Sequence, residues 1–222
     1  MTTHDALILD YDGVVVNILD RRARMQACWR LALEEFREQE FLSHRRSVQT
    51  LAHSVSPEEV QSLSNEFGTP PETLWRYRDD LLASVMTDAA RNGEKKPFPD
   101  VQALNGVDVP VGVASNNQRR VVEFITDEYG LTSRFETIHA RDPVLESLKL
   151  KKPAPTFLRR AQADLEASRP LYVGDKQKDV IAARRAEMDV AFMRRAHNAD
   201  LVLDYEPTYE VATLEDVAAL FE

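Results

Sequence analysis

Ala6-Leu7-Ile8-Leu9-Asp10-Tyr11-Asp12-Gly13 is the segment on which the reading of this chain turns. Its apolar run has the length of a strand buried on both faces, and Asp12-Gly13 supplies the turn that ends it. Asp10 and Asp12 thus stand at the carboxyl end of a strand, where open α/β sheets place their chemistry. Two readings fit the pair. A carboxylate there can take a phosphoryl group as a nucleophile while the second acts as general acid and base, provided a divalent cation suppresses their repulsion. Equally, Asp-x-Asp-Gly is a polar turn closing a strand, since Asp and Gly are ordinary turn residues.

Three later segments bear on the choice. Val111-Gly112-Val113-Ala114-Ser115-Asn116-Asn117 is a second apolar run ending in a hydroxyl and two amides. The Ser115 side chain and the backbone N–H groups there suit phosphate oxygens, but Ser-Asn-Asn also suits the N-cap of a following helix. In Leu150-Lys151-Lys152-Pro153-Ala154-Pro155 the proline holds Lys152 extended, so that its ammonium can serve a phosphate and a carboxylate together. Leu171-Tyr172-Val173-Gly174-Asp175 is another apolar strand ending in an acid, and Asp179 follows four residues on. Hard oxygen donors of this kind suit Mg²⁺, with one carboxylate direct and one through water.

Taken in order, Asp-x-Asp-Gly-Val, strand-Ser-Asn, Lys-Pro-x-Pro and Gly-Asp-x-x-x-Asp resemble the four motifs of the haloacid dehalogenase superfamily, over essentially the whole chain. The resemblance implies roles for the matching residues. Asp10 would be the nucleophile that becomes an aspartyl phosphate; Asp12 would protonate the leaving group, activate water and offer its carbonyl to the metal. Ser115 and the N–H of Asn116 would hold phosphoryl oxygens, and Lys152 would neutralise charge between phosphate and Asp10. Asp10, Asp12, Asp175 and Asp179 would form the Mg²⁺ site, Asp175 directly and Asp179 from further out. Members of the superfamily that break carbon–halogen or carbon–phosphorus bonds are expected to lack an acid at the position of Asp12, so its presence implies phosphate ester chemistry.

The expected function is therefore a Mg²⁺-dependent phosphatase acting on a small phosphorylated metabolite, similar to phosphoglycolate phosphatases. The alternatives are a sugar phosphomutase of the β-phosphoglucomutase type and a noncatalytic regulatory protein of the same fold. No substrate-selecting residue is assigned from the sequence, although Arg21, Arg22, Arg24, Arg45, Arg46, His139 and Arg141 are candidates to face the site.

A chain of 222 residues can bury a substantial core and hold one large domain or a domain with an insert. It has no apolar run of the length that spans a membrane and no pattern of a secretory signal, and its lone cysteine, Cys28, excludes a disulfide framework. A cytoplasmic location is the expectation. A formal net charge of −9 argues against nonspecific nucleic-acid binding. Oligomeric state is not readable.

About 100 residues separate Asp12 from Ser115, far more than one crossover between parallel strands requires. Something is inserted, and its pattern is helical. Met25, Cys28, Trp29, Ala32, Leu33 and Phe36 recur at three- and four-residue steps between Asp20 and Gln39, which marks a packed helix face with Cys28 as buried filler. A shorter helical piece is expected near Phe41 to His53. Ser56-Pro57-Glu58-Glu59 and Thr69-Pro70-Pro71-Glu72 are helix starts, closed before Gly68 and at Asn92-Gly93 respectively. In the superfamily an insert here is a helical cap that closes over the site and selects substrate.

The fold class expected is α/β, a doubly wound parallel sheet with an inserted all-helical cap, the core being residues 1–16 and 97–222 and the cap 17–96. After Ser115 the pattern gives helices over Arg119 to Glu128, Thr156 to Leu165, Asp179 to Glu187 and Leu214 to Phe221, with strands at Thr137 to Ala140, Leu171 to Gly174 and Val190 to Met193. Asn17 and Asp100 depart from the superfamily pattern, which often has aspartate and glycine there.

Overall fold

Leu7, Ile8 and Leu9 are completely buried, each removal from water stabilising the fold by about 2 kcal/mol, and with Ala6 they form β1 (Ala6–Leu9) at the centre of a parallel sheet. The protein is seen here as a computed structural model that describes residues 4–34 and 56–222, with side chains except at 31–34. The expected helical piece at 41–53, and Phe36, Arg45 and Arg46, lie outside the described residues.

After β1 come α1 (Arg21–Glu34), α2 (Pro57–Phe67) and α3 (Pro71–Arg91), then β2 (Val111–Gln118), α4 (Arg119–Glu128), β3 (Thr137–Arg141), α5 (Thr156–Asp164), β4 (Pro170–Gly174), α6 (Gln177–Ala186), β5 (Asp189–Met193), β6 (Tyr209–Val211) and α7 (Leu214–Ala218). The six strands pair in parallel in the order β3-β2-β1-β4-β5-β6. The doubly wound parallel sheet expected from the sequence is therefore present. The chain winds from β1 out to β3 and then returns to β4 on the other side of β1, which makes the carboxyl ends of β1 and β4 the switch point of the sheet. Ala6, Ile8, Ala114 and Tyr172 meet Phe157, Leu158 and Ala161 of α5 and Val180, Ala182 and Ala183 of α6 in one apolar layer.

The chain divides into two compact units. One comprises residues 1–18, 96–141 and 149–222 and contains the sheet; the other comprises residues 19–95 and 142–148. In the second unit Cys28, Val60, Leu63, Leu74, Trp75, Leu81, Leu82 and Val85 form an apolar core, against which the half-buried Met25 and Trp29 pack. Leu145 and Leu148, from the segment after β3, pack on this core too. The Ser56 start is a full capping box, Ser56 Oγ accepting from Glu59 N at 3.2 Å and Glu59 Oε2 accepting from Ser56 N at 2.7 Å. Burial pushes the Cys28 thiol up to about 11, against the lowering influence of Arg24 and Arg78, which leaves it an inert core residue.

Three local readings differ in detail. Ser115, Asn116 and Asn117 are not a helix cap but part of β2, and α4 starts after Gln118 with no side-chain cap. The helix expected from Asp179 begins at Gln177, because Asp179 Oδ2 accepts the Lys176 N–H at 3.0 Å and so caps from inside the first turn. β6 is a three-residue strand beyond Pro207, too short to leave a period-two signature.

The two departures from the superfamily pattern have structural employment. Asn17 Oδ1 accepts from Lys96 N at 2.7 Å while Asn17 N donates to Lys96 O at 3.0 Å, tying the two chain segments together. Asp100 Oδ2 accepts from Leu214 N at 2.9 Å and from Arg195 Nη2 at 2.8 Å, so it ties α7 to the loop after β5.

Candidate active site

Because the side-chain register of β1 ends at Leu9, which pairs with Val113 of β2 and Val173 of β4, Asp10 emerges at the switch point, its N–H donating to Val173 O at 2.8 Å. Asp10 is 4 % exposed and Asp175, at the end of β4, is fully buried. Gly13 follows with φ of 98°, a conformation side chains rarely adopt, and a Cβ there would overlap the Asp175 carboxylate. Glycine at 13 thus lets the β1 loop close on the acid from β4. Gly174 likewise makes room for Asp179, since a Cβ there would overlap the side chain of that residue.

Lys152 is the hub of the site. Its ammonium lies 2.7 Å from Asp10 Oδ1 and 2.7 Å from Asp179 Oδ1, and it donates to Tyr172 Oη at 2.7 Å and to Ala114 O at 3.0 Å. Burial works against its charge, but Asp10 and Asp179 outweigh burial and hold its pKa above the ordinary lysine value. Asn116 fixes the backbone from which the lysine projects: its Oδ1 accepts from Lys152 N at 2.7 Å and its Nδ2 donates to Lys152 O at 3.0 Å. The side chain of Asn116 is therefore occupied in positioning Lys152, which leaves to its backbone N–H the phosphate contact expected from the sequence.

Asp12 and Ser115 take their places beside this hub. Asn117 Nδ2 donates to Asp12 Oδ2 at 2.8 Å, and Asn117 N donates to the nearly buried Ser115 Oγ at 3.1 Å. One asparagine thereby aligns the candidate acid–base group and the candidate phosphate-binding hydroxyl. Asp10, Asp12, Ser115, Asn116, Lys152, Asp175 and Asp179 are all brought together at the carboxyl edge of the sheet. His139 is not: its Nε2 lies 2.7 Å from Asp164 Oδ2, and Thr137 Oγ1 donates to the same oxygen at 2.6 Å.

Asp10, Asp175 and Asp179 each bring a carboxylate oxygen within 4.8 Å of the others, all buried. Together with the Asp12 carbonyl these are hard oxygen donors of the kind a small divalent cation requires, so the residues fit such an ion. Asp179 is the least available of them. Its Oδ1 is taken by Lys152 and by Tyr172 Oη, the latter at 3.0 Å, and its Oδ2 by Lys176 N. Asp175 is held from both sides, its Oδ1 2.6 Å from Lys176 Nζ and its Oδ2 2.7 Å from His197 Nε2, while Asn198 Nδ2 donates to its carbonyl at 2.7 Å.

Sequence reasoning missed Asn117, Tyr172, Lys176, His197 and Asn198 as members of this site. Only Asn117 and Lys176, adjacent to motif residues, carried a local signal; Tyr172 reads as core, and the other two arrive from beyond β5. Lys178 is also near, its pKa lowered by burial and by Lys152 and Lys176, in part offset by Asp10 and Asp179.

The model of the haloacid dehalogenase-like hydrolases matches residues 5–193 of the chain, from the approach to β1 to the end of β5. The chain belongs to this family. Two phosphoglycolate phosphatases are similar in sequence, that of Neisseria gonorrhoeae with 33 % identity over 50 % of this chain and 43 % of its own length, and that of Yersinia pestis with 31 % over 40 % and 39 %. The matched region thus spans less than half the length of these relatives. Among solved structures of the same fold, a Haemophilus somnus protein named after phosphoglycolate phosphatase superposes with a TM-score of 0.68 at 16 % identity, covering 100 % of both chains. The L-2-haloacid dehalogenase of Xanthobacter autotrophicus superposes with a TM-score of 0.58 at 16 % identity, covering 97 % of both. Membership accounts for the α/β fold with its inserted helical unit. Among the described residues no helix is long and apolar enough to cross a membrane.

The Tyr172 hydroxyl gives this family site a testable support. Tyr172→Phe removes one of four acceptors around the Lys152 ammonium, which leaves the lysine satisfied but less constrained. The expected cost is about 1 kcal/mol of stability and a fall in kcat of up to about tenfold with KM nearly unchanged. Steady-state kinetics with a denaturation curve checks this, and unaltered kcat would reduce Tyr172 to a packing role.

Proposed function

We propose that this protein is a phosphatase that hydrolyses a small phosphorylated metabolite, phosphoglycolate-like or a sugar phosphate, through a phosphorylated Asp10. The observation that carries the reading is the Lys152 ammonium 2.7 Å from Asp10 Oδ1, beside an Asp12 carboxylate held by Asn117 at 2.8 Å. In the first half-reaction an Asp10 oxygen bonds to phosphorus, the ester P–O bond breaks, and the leaving alkoxide takes the proton of the Asp12 carboxylic acid. In the second, Asp12 accepts a proton from water as the water oxygen bonds to phosphorus and the bond to Asp10 breaks, releasing inorganic phosphate. Lys152 and Ser115 compensate and position the phosphoryl oxygens, which is most of what phosphoryl transfer asks of a protein.

Asp10, Asp175 and the Asp12 carbonyl would hold Mg²⁺, with Asp179 supporting from behind. The ion supplies charge compensation between the nucleophilic carboxylate and the incoming phosphate. Asp12 favours phosphate ester hydrolysis over dehalogenation, because a halide leaves without needing a proton. By its resemblance to the superfamily, the helical unit would be the part of the chain that selects the substrate.

The test is phosphate release from a panel of small esters, including phosphoglycolate and several sugar phosphates, with Mg²⁺ and with chelator. Release from a narrow set, lost on chelation, is the expected result. Absence of release from every ester with Mg²⁺ present would sink the proposal.

A further inference from the structure

Lys176 has no task in the reaction as proposed, yet its ammonium sits at the heart of the site. It donates to the Asp12 carbonyl at 3.1 Å and to Asp175 Oδ1 at 2.6 Å. Both groups, the Asp12 carbonyl and the Asp175 carboxylate, are among those assigned above to Mg²⁺. An ammonium and a small divalent cation seek the same partners, hard oxygens with negative charge, and they repel one another, so each weakens the hold of the other on these groups. Its side chain is 35 % exposed, whereas that of Asp175 is fully buried, so the lysine reaches the acid from the solvent side.

The arrangement has a second consequence. Asp10, Asp175 and Asp179 are all buried close together, and unpaired carboxylates in such a place repel and destabilise the fold. Lys152 answers Asp10 and Asp179 but makes no bond to Asp175, which depends on Lys176 and His197. A charge tethered at position 176 therefore keeps the acid cluster compensated when no metal is bound.

We propose that Lys176 is a resident counter-ion of the cation site, its ammonium competing with a divalent metal for the Asp12 carbonyl and the Asp175 carboxylate, so that the charge at position 176 weakens metal binding. This rests on the metal-dependent reading above. The price of a site that is stable without metal is weaker metal binding.

Mn²⁺ serves as the probe, its binding to the metal-free protein followed by loss of the free-ion electron paramagnetic resonance signal, independently of turnover. Lys176→Met and Lys176→Gln are each expected to bind Mn²⁺ at least tenfold tighter than the parent, whereas Lys176→Arg, which keeps the charge, binds no tighter. In chelator the two neutral variants should melt at lower temperature than the parent, with Mn²⁺ restoring the difference. Mn²⁺ binding by both neutral variants no tighter than by the parent, or binding by Lys176→Arg as tight as that expected of the neutral variants, overturns the competition while leaving the metal site standing. Should parent and variants alike bind no Mn²⁺, or bind it undiminished when Asp175→Asn is introduced, the metal reading itself falls, and the role of Lys176 with it.

Discussion

Asp10→Asn is expected to lower phosphate release by at least about 10⁴-fold while the protein keeps its fold. An amide of the same size occupies the same space at the end of β1, but it has no lone-pair-rich oxyanion with which to bond phosphorus and cannot form the acyl phosphate. The fold should survive because the main-chain bond from Asp10 N to Val173 O is untouched and because the Lys152 ammonium retains Asp179, Tyr172 and Ala114 as acceptors. The measurement pairs release of phosphate from the best ester of the panel with a denaturation curve. Activity surviving in the variant with a normal curve would remove Asp10 as nucleophile.

Lys152→Met should be damaging in two ways at once. Its side chain is fully buried between two carboxylates that are themselves buried, so methionine leaves Asp10 and Asp179 without the ammonium that both of them bond. Breaking a buried ion pair by removing one partner costs about 3–5 kcal/mol, a large fraction of the stability of a typical domain. Where the variant folds, loss of charge compensation beside the transferring group should reduce kcat by about 10²–10³-fold.

The lysine also has a pH signature. Its folded pKa is held above the ordinary lysine value of 10.5, chiefly by Asp10 and Asp179 against burial. Its contribution to stability is then complete below the unfolded value and is lost as pH rises through the folded one, so it stays intact across the neutral range. A denaturation midpoint of Lys152→Met at neutral pH equal to that of the parent would show that the three groups are not held as a charged unit.

Both variants touch residues that were legible in the sequence, and the reason is local. A buried parallel strand needs a continuous apolar run, and an acid that ends such a run has few places to go but the carboxyl edge of the sheet. Asp10 and Asp175 announce themselves in that way, and Lys152 by the proline that follows it. The capping box at Ser56 was equally plain, because its two hydrogen bonds join residues three apart. For Ser115-Asn116-Asn117 the sequence leaves a helix cap open beside a phosphate site, since amides and hydroxyls favour caps locally; strand pairing with β3 carries β2 through Gln118 and excludes the cap.

What the linear chain established is thus the parallel α/β architecture, the helical insertion and the set of acids, amide and lysine at the ends of the strands, because each follows from periodicity and from turn chemistry a few residues long. What only the tertiary structure decided is who serves whom: Asn116 holding Lys152, Asn117 holding Asp12, Tyr172 joining Lys152 to Asp179, His197 and Lys176 flanking Asp175. Such partnerships cross from one strand end to another and depend on distances of about 3 Å between side chains that are far apart in sequence. No local pattern encodes them. They exist once the sheet has set β1, β2 and β4 side by side and once glycine at 13 and 174 has let the two acidic loops close.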